Sequence, residues 1–154
     1  ARRAGLVLTA RGSRSSVPVI PASSGLRAGR SQIFSNLADS TAETVQARVP
    51  GTYRTTLGLA ETSGAPVVVR ARIFLDEGRG LATSVIARDF DVSAGQQLMV
   101  ENLVRSIVGP SRETRLGELH NLQLRLEVVS GEGSVVPFVI ITDNATGDTL
   151  LRLD

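Results

Sequence analysis

The 154-residue sequence predicts an all-β fold, an antiparallel Ig-like β-sandwich with one short helix and an N-terminal β arm. Three observations carry that expectation. Apolar and polar residues alternate over residues 67–75 and 122–128, the period of two that sends successive side chains to opposite faces of a strand. Thr62-Ser63-Gly64, Asp76-Glu77-Gly78, Ser93-Ala94-Gly95 and Ser130-Gly131 are turn clusters at sandwich-like intervals. Gly131-Glu132-Gly133 releases a β-rich run over residues 135–142. That run stops at Asp143-Asn144 and Thr146-Gly147-Asp148, residue types that make turns by bonding their own backbone.

Taken in order, the chain opens on Arg2-Arg3 and the apolar run Leu6, Val7, Leu8, Thr9 and Ala10. This run is at the lower limit of the roughly 7 to 15 apolar residues of an export signal, and a strand is the better reading. After a polar interval, Val17, Val19 and Ile20 form a second run, in which Pro18 and Pro21 lack the N–H a ladder needs. Residues 1–22 are therefore assigned to an arm and residues 23–154 to the sandwich. Residues 35–43 are polar and mixed, and read as a connector without a regular element. Strands are expected over residues 53–59, 67–75, 83–90, 97–100, 122–128, 135–142 and 149–153. In the second of these Val69, Ala71, Ile73 and Leu75 share one face, with Arg70 and Arg72 on the other. Asn102 caps a short helix whose Leu103, Val104, Ile107 and Val108 face one way before Gly109-Pro110 ends it, placing it over an open end of the sandwich. Residues 111–121 read as a polar loop. The expected core includes Val69, Ile73, Leu122, Leu124, Leu126, Phe138 and Ile140.

Composition narrows the function classes. The length suits one domain with a real core, at 42% hydrophobic residues, and is short for two. All 17 basic residues are arginine, so the sequence pI of 10.3 reflects the lack of lysine; the formal charge is only +2. The arginines interleave with 15 acids, and Phe34, Tyr53, Phe74, Phe90 and Phe138 are the only aromatic residues, so no nucleic-acid partner is expected. Cysteine is absent, which removes disulfides, thiolate metal sites and thiol nucleophiles. No apolar run reaches the roughly 18 residues of a membrane span.

Nothing points to an enzyme or a cofactor. His120 is the lone histidine, no Gly-x-Ser-x-Gly elbow, phosphate loop or His-Glu-x-x-His is present, and a structural role on the strand is expected for it. Asp89 and Asp91 flank Phe90 on one strand face and read as solvated edge charges rather than a catalytic acid pair. Asp143, Asn144 and Asp148 place three oxygen-bearing side chains in one loop, the hard ligands calcium prefers. That ion takes about 6 to 8 ligands and the EF-hand spacing is missing, so a turn fixed by Asp143 and Thr146 is the expectation and no metal is assigned. Asn144-Ala145-Thr146 also fits an N-glycosylation acceptor.

With these residues in place, the chain resembles the β-sandwich (Ig-like) repeats of secreted bacterial surface proteins. The resemblance rests on Ile20-Pro21-Ala22, Tyr53-Arg54-Thr55-Thr56-Leu57-Gly58-Leu59, the alternating residues 70–75, Ser93-Ala94-Gly95 before the helix, Gly131-Glu132-Gly133, and Asp143-Asn144-Ala145-Thr146-Gly147-Asp148. Thr56 departs from it, where those repeats often carry asparagine. The resemblance implies an extracellular or cell-surface location and a non-enzymatic role. It also implies that Leu6, Val7, Leu8, Thr9 and Ala10 with Val17, Val19 and Ile20 resemble the closing strand and exit of a preceding repeat, which this sequence does not contain. Such a strand is expected to pair with a sheet of another copy, giving a head-to-tail homopolymer, a surface filament. The other reading is an ordinary first strand of a monomeric adhesion module that binds glycans, proteins or host and cell surfaces.

Overall fold

The computed structural model describes residues 5–7, 19–21, 25–40, 53–75, 84–108 and 118–153. They form an antiparallel β-sandwich with one short helix. In chain order the elements are β1 (Gly5–Val7), β2 (Val19–Pro21), β3 (Ser31–Ser40), β4 (Tyr53–Glu61), β5 (Val67–Leu75), β6 (Ser84–Val92) and β7 (Gln97–Val100). After these come α1 (Leu103–Val108), β8 (Glu118–Gly131), β9 (Val135–Asp143) and β10 (Thr149–Arg152). One sheet has the order β10-β9-β4-β7 and the other β3-β8-β5-β6; β1 and β2 pair with each other in a separate two-stranded sheet.

Alternation sets the second sheet. Val69, Ala71 and Ile73 of β5 lie opposite Val128, Leu126 and Leu124 of β8, and all six are buried. Their neighbours Arg70 and Arg72 lie opposite Glu127 and Arg125 on the outer face. A one-residue slip would exchange the two faces, so burial of the leucines fixes the register. From the first sheet, Leu57, Leu59, Val135 and Val139 meet them, and Leu103, Val104 and Ile107 of α1 enter the same core. Each such side chain contributes roughly 1.5–3 kcal/mol on leaving water. Leu26 joins through paired backbone bonds with Val135, N to O at 2.6 and 2.9 Å, which tie the chain into the sandwich from its first described turn.

The first sheet departs from simple alternation. Strand β4 is buried on both faces from Thr55 to Glu61. Leu57 and Leu59 point into the main core, whereas Ala60 and Phe138 form a second cluster with the half-buried Ile140, Leu151 and Leu153. Phe138 is therefore buried as expected, but away from the leucine core, and Ile140 is half-buried rather than buried. Gly58 makes this possible: it faces Phe138 across the ladder, and a Cβ there would sit 2.1 Å from the ring. Gly131 is needed for another reason, since φ is 91° and a Cβ would lie 2.4 Å from the Pro66 carbonyl.

Two expectations are corrected. The supposed connector over residues 35–43 is largely strand, because β3 runs to Ser40 and pairs with β8. Its register shifts between Phe34 and Leu37 and again before Asp39, with Asn36 at φ 56°. These bulges turn Phe34 and Leu37, three apart, into the same core and erase the period of two. The polar loop over residues 111–121 is likewise shorter than expected, as β8 begins at Glu118; residues 111–117 lie outside those described. The helix lies at its expected place, with the Asn102 carbonyl accepting from Ser106 N at 3.0 Å.

Candidate functional site

The residues assigned to strand donation fall in two groups. Leu6 and Val7 are in β1, Val19 and Ile20 in β2; Leu6 lies opposite Ile20 and Val7 opposite Val19. Leu8, Thr9, Ala10 and Val17 lie outside the described residues. The described parts of the two runs, residues 5–7 and 19–21, pair with each other in a two-stranded sheet separate from the four-stranded ones.

Among the described residues the sandwich ends in four strand edges, and they differ. Strands β7 and β10 have four residues each, and β3 is bulged. Strand β6 pairs with β5 over nine successive residues, Val67↔Val92 to Leu75↔Ser84, without a break. Short and bulged edges resist the addition of foreign strands, whereas a long regular edge invites it.

Charges decorate the outer face next to that edge. Arg70 donates from Nε to Asp89 Oδ1 at 2.7 Å and from Nη2 to Oδ2 at 2.9 Å, a bidentate pair between β5 and β6. These hydrogen bonds, the first cause, hold the Asp89 carboxyl below the usual carboxylate range. Glu127 accepts from Arg72 Nη1 at 2.6 Å and from Arg125 Nη2 at 2.8 Å, separating two arginines that stand directly opposite. Asp89 is thus committed to an arginine, and Asp91 is exposed on the same face. An exposed pair of this kind adds little stability.

A carboxylate that the motifs did not single out accepts four hydrogen bonds. Glu61, only 5% exposed, ends β4, and its Oε1 accepts from the Ser63 N–H at 2.6 Å and from the Ser63 hydroxyl. Its Oε2 accepts from Gly64 N at 2.9 Å and from Gly95 N at 2.7 Å. Burial pushes its pKa up, but the Ser63 hydroxyl and the three backbone donors outweigh this and hold it at about 2. One ionised group thereby clasps the β4–β5 turn to the β6–β7 turn. Ser63 passes the linkage on, its Oγ accepting from Ser134 N at 3.0 Å.

The corner between β9 and β10 is a turn built by its own side chains. Asp143 Oδ1 accepts from Ala145 N at 2.8 Å and Thr146 N at 3.3 Å, Gly147 N donates to the Asp143 carbonyl at 2.8 Å, and Thr146 Oγ1 accepts from Asp148 N at 3.2 Å. Gly147 takes φ 77°. Asp143 Oδ1 is thus engaged by the turn. Among the described residues no group of three or more His, Cys, Asp or Glu gathers as a metal site. His120 lies within β8, and no helix among the described residues is long and apolar enough to cross a membrane. No family model, curated protein or solved structure matches the chain.

Proposed function

We propose that this chain is a non-enzymatic extracellular structural subunit that assembles by donating its N-terminal strand to a neighbouring copy. The observation that carries the reading is the β1–β2 ribbon, whose strands, among the described residues, pair only with each other and stand in neither sandwich sheet. A ribbon of three residue pairs is marginal alone, and adding it to a sheet edge supplies main-chain bonds along the strand. Leu6, Val7, Leu8, Thr9 and Ala10 are the primary donor run; Val17, Val19 and Ile20, bounded by prolines, are the weaker one. Donation from one copy to the next does not close on itself, so the product is a filament.

The non-enzymatic part rests on how the acids are used. Glu61 and Asp143 fix turns and Asp89 holds an arginine, so none of the three is poised to exchange a proton with a substrate. A second reading, a monomeric extracellular adhesion or glycan- or protein-binding module, is favoured by the pairing of β1 with β2 inside one chain. The deciding experiment adds a peptide of residues 5–20 to chain lacking residues 1–16. Donation requires saturable binding that raises the melting temperature by mass action. Absence of binding leaves the monomeric module.

A further inference from the structure

We propose that the outer face of the second sheet binds an acidic glycan, taking a carboxylate or sulfate group in a groove between Arg30 and Arg125. The site goes beyond the assembly reading, since it uses no part of the N-terminal strand. The groove has a volume of about 220 Å3 and lies where the chain enters β3 beside β8, its walls including Arg30, Ser31, Arg125, Glu127 and Val129. That is below the roughly 300–1,000 Å3 of sites for drug-sized ligands, so it suits one charged group and the ring that bears it.

Positive charge around the groove exceeds what the neighbouring acids neutralise. Arg70 is matched by Asp89, and Asp91 stands on the far edge strand, β6, opposite Val68. Arg72 and Arg125 lie directly opposite across the ladder and share the carboxylate of Glu127, at 2.6 and 2.8 Å. Arg30 is exposed, and among the described residues its guanidinium has no hydrogen bond or ion pair; the bond of its turn is made by backbone, from Arg30 N to the Arg27 carbonyl at 3.1 Å. Arg125 is only partly satisfied. Its Nη2 holds Glu127, its Nε is buried without a partner, and 41% of the side chain stays exposed. An oxyanion between Arg30 and Arg125 gains charge-assisted hydrogen bonds and offsets the repulsion among arginines that share one acid.

The surroundings favour a sugar as the bearer of that charge. About 7 Å further along the strands the same face presents Gln123 opposite Phe74, both half-buried. A sugar unit following the charged one meets an aromatic ring and a planar amide, the apolar surface and the few placed polar groups that orient a small ligand. A protein partner is the poorer fit. Beside the groove, the large apolar side chains exposed among the described residues are Ile33 and Val129, whereas a protein interface buries a wider apolar centre.

Calorimetric titration of the full chain with oligogalacturonate, a sulfated galactan oligomer and a neutral galactan oligomer of equal length tests the site. The expected result is saturable binding of an acidic oligomer, weakened by salt, and none of the neutral one; the tighter of the two acidic oligomers identifies carboxylate or sulfate as the group bound. Arg30→Gln and Arg125→Gln should each weaken that binding about tenfold or more. Arg54→Gln, which removes an exposed arginine of β4 in the other sheet, should leave it unchanged. Phe74→Leu should weaken the oligomer but not free galacturonate. Arg30→Gln changes an exposed side chain and carries the test should Arg125→Gln fail to fold. Equal binding of the neutral oligomer, an equal loss with Arg54→Gln, or no binding of either acidic oligomer overturns the site. Poly-glutamate bound in their place, and released by Arg30→Gln, overturns the glycan and assigns the groove to an acidic protein.

Discussion

Replacing Glu61 with glutamine tests whether one ionised side chain holds two turns together. In the folded chain its carboxyl is held at about 2, against 4.5 for the free group. At about 1.4 kcal/mol for each tenfold change in proton affinity, that difference amounts to about 3 kcal/mol at neutral pH. Ser63, Gly64 and Gly95 are exposed, so solvent reaches the mouth of the clasp and about 2 kcal/mol is the expected share. Glutamine keeps the shape but turns an NH2 group toward N–H donors, leaving at least one of them unbonded. Glu61→Gln should therefore lower the urea unfolding free energy by about 2–3 kcal/mol near pH 7. The sign with pH follows from a lowered folded-state value. The contribution is complete above about pH 4.5 and is lost as pH falls toward about 2, so wild type and variant should converge over that interval. A gap that stays constant between about pH 7 and about pH 3 would refute the charged clasp, as would a variant as stable as wild type at neutral pH.

Leu124 is fully buried between the sheets, and Leu124→Ala should cost about 2–5 kcal/mol in the same urea assay; a loss below about 0.5 kcal/mol would place it outside the core. Gly58→Ala drives a methyl into the Phe138 ring and should cost about 1–3 kcal/mol, with part of the loss recovered when Phe138→Leu is added; an unchanged melting temperature would contradict the stacking. Asp143→Ala should cost about 1 kcal/mol by releasing the Ala145 and Thr146 N–H groups. Calcium should move the wild-type melting temperature no further than ionic strength alone. A saturable calcium-specific stabilisation abolished by Asp143→Ala and Asp148→Ala would assign the corner to metal.

The parts of the fold legible in the sequence are those where one strand face is wet. Arg70 and Arg72 between Val69, Ala71 and Ile73, or Arg125 and Glu127 between leucines, announce their strands because charge and core alternate. Strand β3 is not announced: the bulges around Leu37 place its buried residues at a spacing of three, which no strand template expects. Strands β4 and β9, buried on both faces, reveal that they are strands but not which side Phe138 takes. Glu61 carries no sequence signature because its partners come from two turns, and Gly95 is 34 residues away. A carboxylate ending a strand just before Thr62-Ser63-Gly64 was the only local sign of it. The corner at Asp143 was legible because its bonds are made within six residues.

The central claim, assembly through the N-terminal strand, is tested most directly by the mass of the purified full chain in solution, with electron microscopy of the same sample. Chain lacking residues 1–16 is measured alongside it. The account predicts fibres or a concentration-dependent series of high-mass species from the full chain, and their loss on truncation. A full chain that stays monomeric at high concentration, or a truncated chain that still forms fibres, would contradict it.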